Sequence, residues 1–227
     1  MTEPISVALA KSGVDAAFAT ATPLLQRLLG PAADELGGMV GDWLRPIRMR
    51  NVLRGLGRFE AMLVAAKIEP RPVPLRLLSP ILDGMSLEDD DDLVTAWAAL
   101  LSNAAADSSM VRPGFASILA DLSKNDALVL EHLVSKYPRH YENGWGTLAE
   151  EWSVSFKELH QKLELPETEL QLCLSNLQRL GLLEQELPPT RTVGTPIGNI
   201  GVLQPTLRAS AIGRQFHAAC QPPIAVG

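Results

Sequence analysis

Apolar residues recur at three- and four-residue steps along most of the chain, and each such run reads as an amphipathic helix. The clearest lies in Ser86 to Ala106, where Leu93, Ala96, Trp97, Leu100, Leu101 and Ala104 form one stripe. Ser86 is followed three residues later by Asp89, which predicts a capped helix start at Ser86. The acids Glu88, Asp89, Asp90, Asp91 and Asp92 then fall in the first turns, where the positive end of the helix dipole favours them. Upstream, Ile47 to Ile68 predicts a second helix, with Val52, Leu56, Phe59, Leu63 and Ala66 on the buried side. Arg50, Arg54 and Arg58 share another face at four-residue steps, and Arg45 and Arg48 extend that basic surface at its start.

The pattern elsewhere fills in a mainly α protein. Residues 5–29 read as one or two helices interrupted near Pro23. A further helix begins after Gly30 and runs to Pro46, weakened by Gly37, Gly38 and Gly41. Its small residues suit close helix packing, or contact with a membrane surface through the same face and Trp43. Pro70, Pro72 and Pro74 alternate with other residues and impose an extended connector. Leu75 to Met85 is a short apolar helix bent at Pro80. Pro113 to Leu122 is another, with Phe115, Ile118, Leu119 and Leu122 inward. Ser123, with Asp126 three residues on, predicts a cap for a helix whose apolar face is Ala127, Leu128, Leu130, Leu133 and Val134.

The last third has a different rhythm. Helices are expected over 147–152, 155–163 and 166–180, the last with Leu170, Leu172, Leu174, Leu177 and Leu180 as its apolar residues. A strand over 181–184, a polar excursion over 187–199, a returning strand over 200–203 and a helix over 210–219 complete the order of a winged helix-turn-helix with a small β-wing. The expected organisation is a helical domain over 1–138, a winged-helix-like module over 144–221 and a tail over 222–227.

Particular residues carry a family resemblance. Glu88 to Asp92 running into Trp97-Ala98-Ala99-Leu100-Leu101, then Val111-Arg112-Pro113-Gly114-Phe115, then Leu122-Ser123-Lys124-Asn125-Asp126-Ala127 resemble the Abi-alpha family of bacterial proteins. Thr206 to Cys220 resembles the family's closing segment through Gly213, Phe216, Ala219 and Cys220. Relatives carry an Asn in the Trp-Ala segment and a His before the proline. Here those positions lack the Asn and hold Arg112. The resemblance implies abortive infection, a phage defence in which the infected cell stops growing or dies.

Charge and composition sharpen this picture. The 227 residues are 46% hydrophobic, 20% charged and only 5% aromatic, a globular composition that favours helices. The net charge of −6 is uneven: residues 41–80 hold eight Lys/Arg against three Asp/Glu, and residues 81–140 hold four against ten. The arginine row Arg45, Arg48, Arg50, Arg54 and Arg58 can grip phosphates, pair with Glu88–Asp92 within the chain or between copies, or face solvent. Residues 141–227 hold six Lys/Arg and nine Asp/Glu, which disfavours DNA as the winged module's partner and favours a protein partner or self-association. A DNA-binding regulator and a membrane-perturbing effector built on residues 5–45 remain the alternatives.

No nucleophile elbow, phosphate loop or metal-ligand spacing is present in the sequence, so the expectation is a binding protein, not an enzyme. No cofactor, metal or small-molecule substrate is expected. Cys173 and Cys220 read as reduced thiols, His132 and His140 as structural or exposed, and Trp97, Phe115 and Phe216 as core anchors. Residues 1–25 lack a basic stretch followed by an apolar one, so a cytoplasmic location is expected, with peripheral contact to the inner membrane as the variant.

Overall fold

The Asp91–Ala106 helix packs against two helices that precede it in a computed structural model that describes residues 4–30, 46–136, 154–186 and 206–224. The chain divides into two compact units, residues 1–121 with 218–227 and residues 122–217. In the first, helix α1 (Ile5–Leu29) packs on α2 (Pro46–Ala66), and α2 packs on both α3 (Leu75–Leu87) and α4 (Asp91–Ala106). A short α5 (Phe115–Ala120) closes against α3.

Helix α1 breaks at Gly13, not at Pro23 as expected. Gly13 adopts φ 85°, ψ −173°, a region open almost only to glycine. Pro23 stays inside the helix: its fixed φ suits helical geometry, at the cost of one hydrogen bond and of crowding between its ring and the Ala19 carbonyl. The helix expected between Gly30 and Pro46, including Gly37, Gly38, Gly41, Trp43 and Arg45, lies outside the described residues.

The inner face of α2 is the expected one, with Val52, Leu56, Phe59, Leu63 and Ala66 all buried. After it the proline-rich connector runs extended, and the residues between its prolines supply the donors that proline lacks. Arg71 N–H donates to the Ala105 carbonyl (2.8 Å) and Val73 N–H to that of Leu28 (2.8 Å). The connector is thereby stitched to α4 and α1.

Ser86 does not cap α4. Helix α3 continues through it to Leu87, and the Ser86 hydroxyl donates to the Asp83 carbonyl at 2.6 Å. The cap is Asp90, whose Oδ1 accepts from the Asp92 and Leu93 N–H groups at 2.9 and 3.2 Å. Helix α4 is also buried around most of its girth, with Val94, Ala98, Ala99, Ser102 and Ala105 joining the expected stripe. A helix enclosed by neighbours needs more than one apolar face.

In the second unit, Ser123 and Asp126 form the expected reciprocal cap of α6 (Lys124–Ser135), with Asp126 N–H to Ser123 Oγ at 3.2 Å and Ser123 N–H to Asp126 Oδ2 at 2.8 Å. Val129, Leu130 and Leu133 face inward, whereas Leu128, expected with them, is exposed. Ser155 caps α7 (Phe156–Leu163), and α8 (Glu167–Arg179) follows.

A three-stranded antiparallel sheet has the order β1 (Val154–Ser155), β3 (Thr206–Ala209), β2 (Leu183–Glu186). The first strand was not expected, and β2 starts two residues later than predicted because Gly181, at φ 71°, turns the chain first. Thr206–Ala209, to which the sequence pattern assigns no element, is a strand. The expected helix over 147–152, the excursion over 187–199, the strand over 200–203 and His140 lie outside the described residues. Helix α9 (Ala211–Ala219) starts where expected: Ser210 Oγ accepts from Gly213 N–H at 2.9 Å.

Candidate functional site

The first place where candidate residues meet is the junction of α2 with the α3–α4 connection. Arg58 donates from Nη1 to the Asp91 carbonyl and from Nη2 to Asp91 Oδ1, and Nη1 also reaches Thr95 Oγ1 at 2.9 Å. Arg54 Nη2 donates to the Glu88 and Asp89 carbonyls at 3.3 and 3.1 Å, and its Nε lies 3.8 Å from Asp91 Oδ1. Asn51, which the charge pattern gave no reason to single out, is buried and donates to the Ser86 carbonyl and Asp89 Oδ1, each at 3.3 Å. Helical spacing put all three on α2; their shared target is visible only in the fold.

The acids accordingly do different things. Glu88 Oε1 accepts from Asp90 N–H at 2.9 Å, Asp89 holds Asn51, Asp90 caps α4, Asp91 meets the arginines and Asp92 sits exposed in the first turn. They do not converge as a cation site, and among the described residues no three His, Cys, Asp or Glu side chains do so. Arg48 is half-buried and Arg50 exposed. The Arg58–Asp91 pair has side chains 29% and 72% exposed, so its net worth is about 0–1 kcal/mol. Burying Trp97 is worth several times that, roughly 4–6 kcal/mol for 150–250 Å² of area. Trp97 therefore anchors the helix, and the charged clamp sets where its first turn points.

The second place is a polar hub inside the second unit. Asp126 is 4% exposed, and its Oδ2 accepts from Ser123 N–H and Oγ (each 2.8 Å) and from Asn176 Nδ2 (2.9 Å). Cys173 also hydrogen-bonds to this carboxylate, and burial, then the charge of Asp126, push its thiol up to about 12. Nearby, Asn125 Nδ2 donates to Glu169 Oε1 at 3.0 Å. These contacts fix α8 against α6 through its inner side, where Leu170, Cys173, Leu174 and Leu177 are buried. Such a network is satisfied and inert: it holds α8 in one register.

What α8 turns outward is more informative. Glu167, Thr168, Gln171, Leu172, Ser175, Gln178 and Arg179 are exposed. Leu172, expected inside, is 66% exposed, because it lies about 100° around the helix from Cys173, which fills the inner position instead. Arg179 directs Nε and Nη2 onto Asn176 Oδ1 at 3.1 and 2.8 Å. The outer face is thus largely uncharged and polar, with an apolar side chain at its middle.

Burial shifts His132, His217 and Cys220. His132 is lowered by burial and by Lys136 and Lys162, against the pull of Glu158, while Lys136 itself bonds Glu158 at 2.7 Å. His217 is lowered by burial, opposed by Glu131. Burial raises the Cys220 thiol. Asp107 is lowered by its hydrogen bonds from the Ser109 N–H and hydroxyl, with Arg71 adding to them. Phe115 and Phe216 are buried at 1% and 2% exposure. No described helix is long and apolar enough to cross a membrane.

Comparison with known proteins gives one family. The family model described as abortive infection alpha matches residues 51–220, from the second turn of α2 through α9. No curated protein and no solved structure matches the chain.

Proposed function

Because the chain belongs to the abortive infection alpha family, we propose that it serves a bacterial, abortive-infection-type defence against phage, acting in the cytoplasm by binding a protein and not by catalysis. In this reading residues 122–217 work as a winged helix-turn-helix-like docking module. The outer face of α8 carries the reading. A helix that enters a DNA groove needs cations to neutralise phosphates. Here Glu167 stands at the start of that face, Leu172 at its centre, and the helix's one base is turned onto Asn176. An exposed leucine ringed by Thr168, Gln171 and Ser175 suits a protein surface. The commitment of Arg54 and Arg58 to the α3–α4 connection supports the same reading, since it withdraws part of the arginine row from phosphate binding.

A DNA-binding regulator is the second reading, favoured by the sheet order β1–β3–β2 with α7 and α8 between β1 and β2. Titration of the purified chain with duplex DNA separates the two. The protein-docking reading expects no binding at low salt. Binding that falls steeply as salt rises would replace it with the second. Plaque counts on cells with and without the gene test the defence role itself.

A further inference from the structure

The first turns of α1 differ in kind from the rest of that helix. From Pro4 to Gly13 only Ile5 and Ala8 are buried, whereas the portion after Gly13 buries Ala17, Ala21, Leu25, Leu28 and Leu29. Gly13 separates the portions with φ 85°, ψ −173°, and nothing lies within 4 Å of where its Cβ would stand, so the bend has open space around it. Eight residues, Ile5 to Ser12, are too few to hold a helix in water unaided. Contacts on α2 help to hold it. Glu60 Oε2 accepts from Ile5 N–H at 3.0 Å, supplying from another helix the cap that Pro4 does not give. Ser6 sits over Gly57, where a Cβ would come within 3.2 Å of the serine Cβ.

We propose that Ile5–Ser12 is a releasable strap, hinged at Gly13 and latched onto α2 by Glu60 and the Ser6–Gly57 contact. Release uncovers Gly57 and Glu60 on α2 together with the Ile5–Ala8 face of the strap, and leaves 14–29 in place. The physical basis is sparse burial: of Pro4 to Gly13 only Ile5 and Ala8 are buried, so the cost of ordering this backbone is set against far less buried apolar area than in the portion after Gly13. Segments balanced in this way open locally, well below the free energy of global unfolding.

Amide hydrogen exchange on the full chain tests this. Amides of residues 9–12 should exchange at least about tenfold faster than those of 18–29, in an opening that leaves α2 protected. Glu60→Gln should speed exchange in the strap alone. Gly13→Ala, strained at this φ, should do so more strongly, with 18–29 unchanged. Exchange of the strap only together with 18–29, in wild type and in Glu60→Gln alike, would overturn the proposal. So would a Gly13→Ala chain that folds with the strap as protected as before. Should Gly13→Ala not fold, Glu60→Gln and the wild type decide alone.

Discussion

Gly84 lies against the ring of Trp97: a Cβ there would stand within 2.9 Å of Cζ3 and closer still to Cζ2 and Cη2. The indole that anchors α4 is therefore seated on a glycine of α3, and the two helices approach as far as that missing side chain allows. Gly84→Ala should cost about 1–3 kcal/mol, because a buried ring beside a backbone has no free direction in which to move. Urea unfolding of the variant measures it. A midpoint equal to wild type would show that the contact yields.

The start of α4 offers a direct choice between two caps. Asp90→Ala removes the side chain that accepts from Asp92 and Leu93 N–H and should cost about 1 kcal/mol. Asp89→Ala, three residues after Ser86, removes only the acceptor of one long Asn51 bond and should cost less. Thermal unfolding of the two variants orders them. A larger loss for Asp89→Ala would return the cap to Ser86.

The arginine clamp should be modest and salt-sensitive. A double-mutant cycle of Arg58→Ala with Asp91→Ala is expected to give a coupling of about 1 kcal/mol or less, shrinking in high salt, because both side chains meet water. A larger, salt-independent coupling would mean that the pair is shielded from solvent.

Stability should fall on both sides of neutral pH. His132 and His217 titrate below their ordinary 6.5 in the folded chain, so the unfolded chain binds more protons as pH drops. Their contribution is complete above about pH 6.5 and is lost as pH falls through the folded values. The thiols behave oppositely. Cys173, raised to about 12 from 9.0, contributes below pH 9 and loses that contribution as pH rises toward 12. Unfolding midpoints across pH check both limbs, and His132→Asn should flatten the acid one. An acid limb unchanged in that variant assigns it to other groups.

Much of this fold can be read along the chain, and the reasons for the failures are specific. Ser123 and Asp126 are legible because a single serine precedes a single acid at the right spacing. Ser86 misleads because a run of acids offers several candidate caps, and the choice of Asp90 depends on Asn51, Arg54 and Arg58 reaching over from α2. Pairing with the acids is one of three readings the arginine row leaves open in the sequence; neither that choice nor which arginine meets which acid is legible there, since helical spacing fixes a face and not its neighbour. Leu172 reads as core only because leucine is apolar; the spacing of Leu170, Leu174 and Leu177 already excludes it from their face. The strand Thr206–Ala209 carries too little alternation in four residues to be recognised as a strand.

Leu172 is therefore where defence by protein docking is most exposed to test. Plaque counts should be compared on cells carrying the wild-type gene, the Leu172→Glu gene and no gene, with the variant's unfolding midpoint confirmed equal to wild type. Wild type should lower the counts, and Leu172→Glu should restore them to the level without the gene. Full protection by the folded Leu172→Glu chain would contradict docking through α8, and no protection by wild type against any phage tested would contradict the defence role itself.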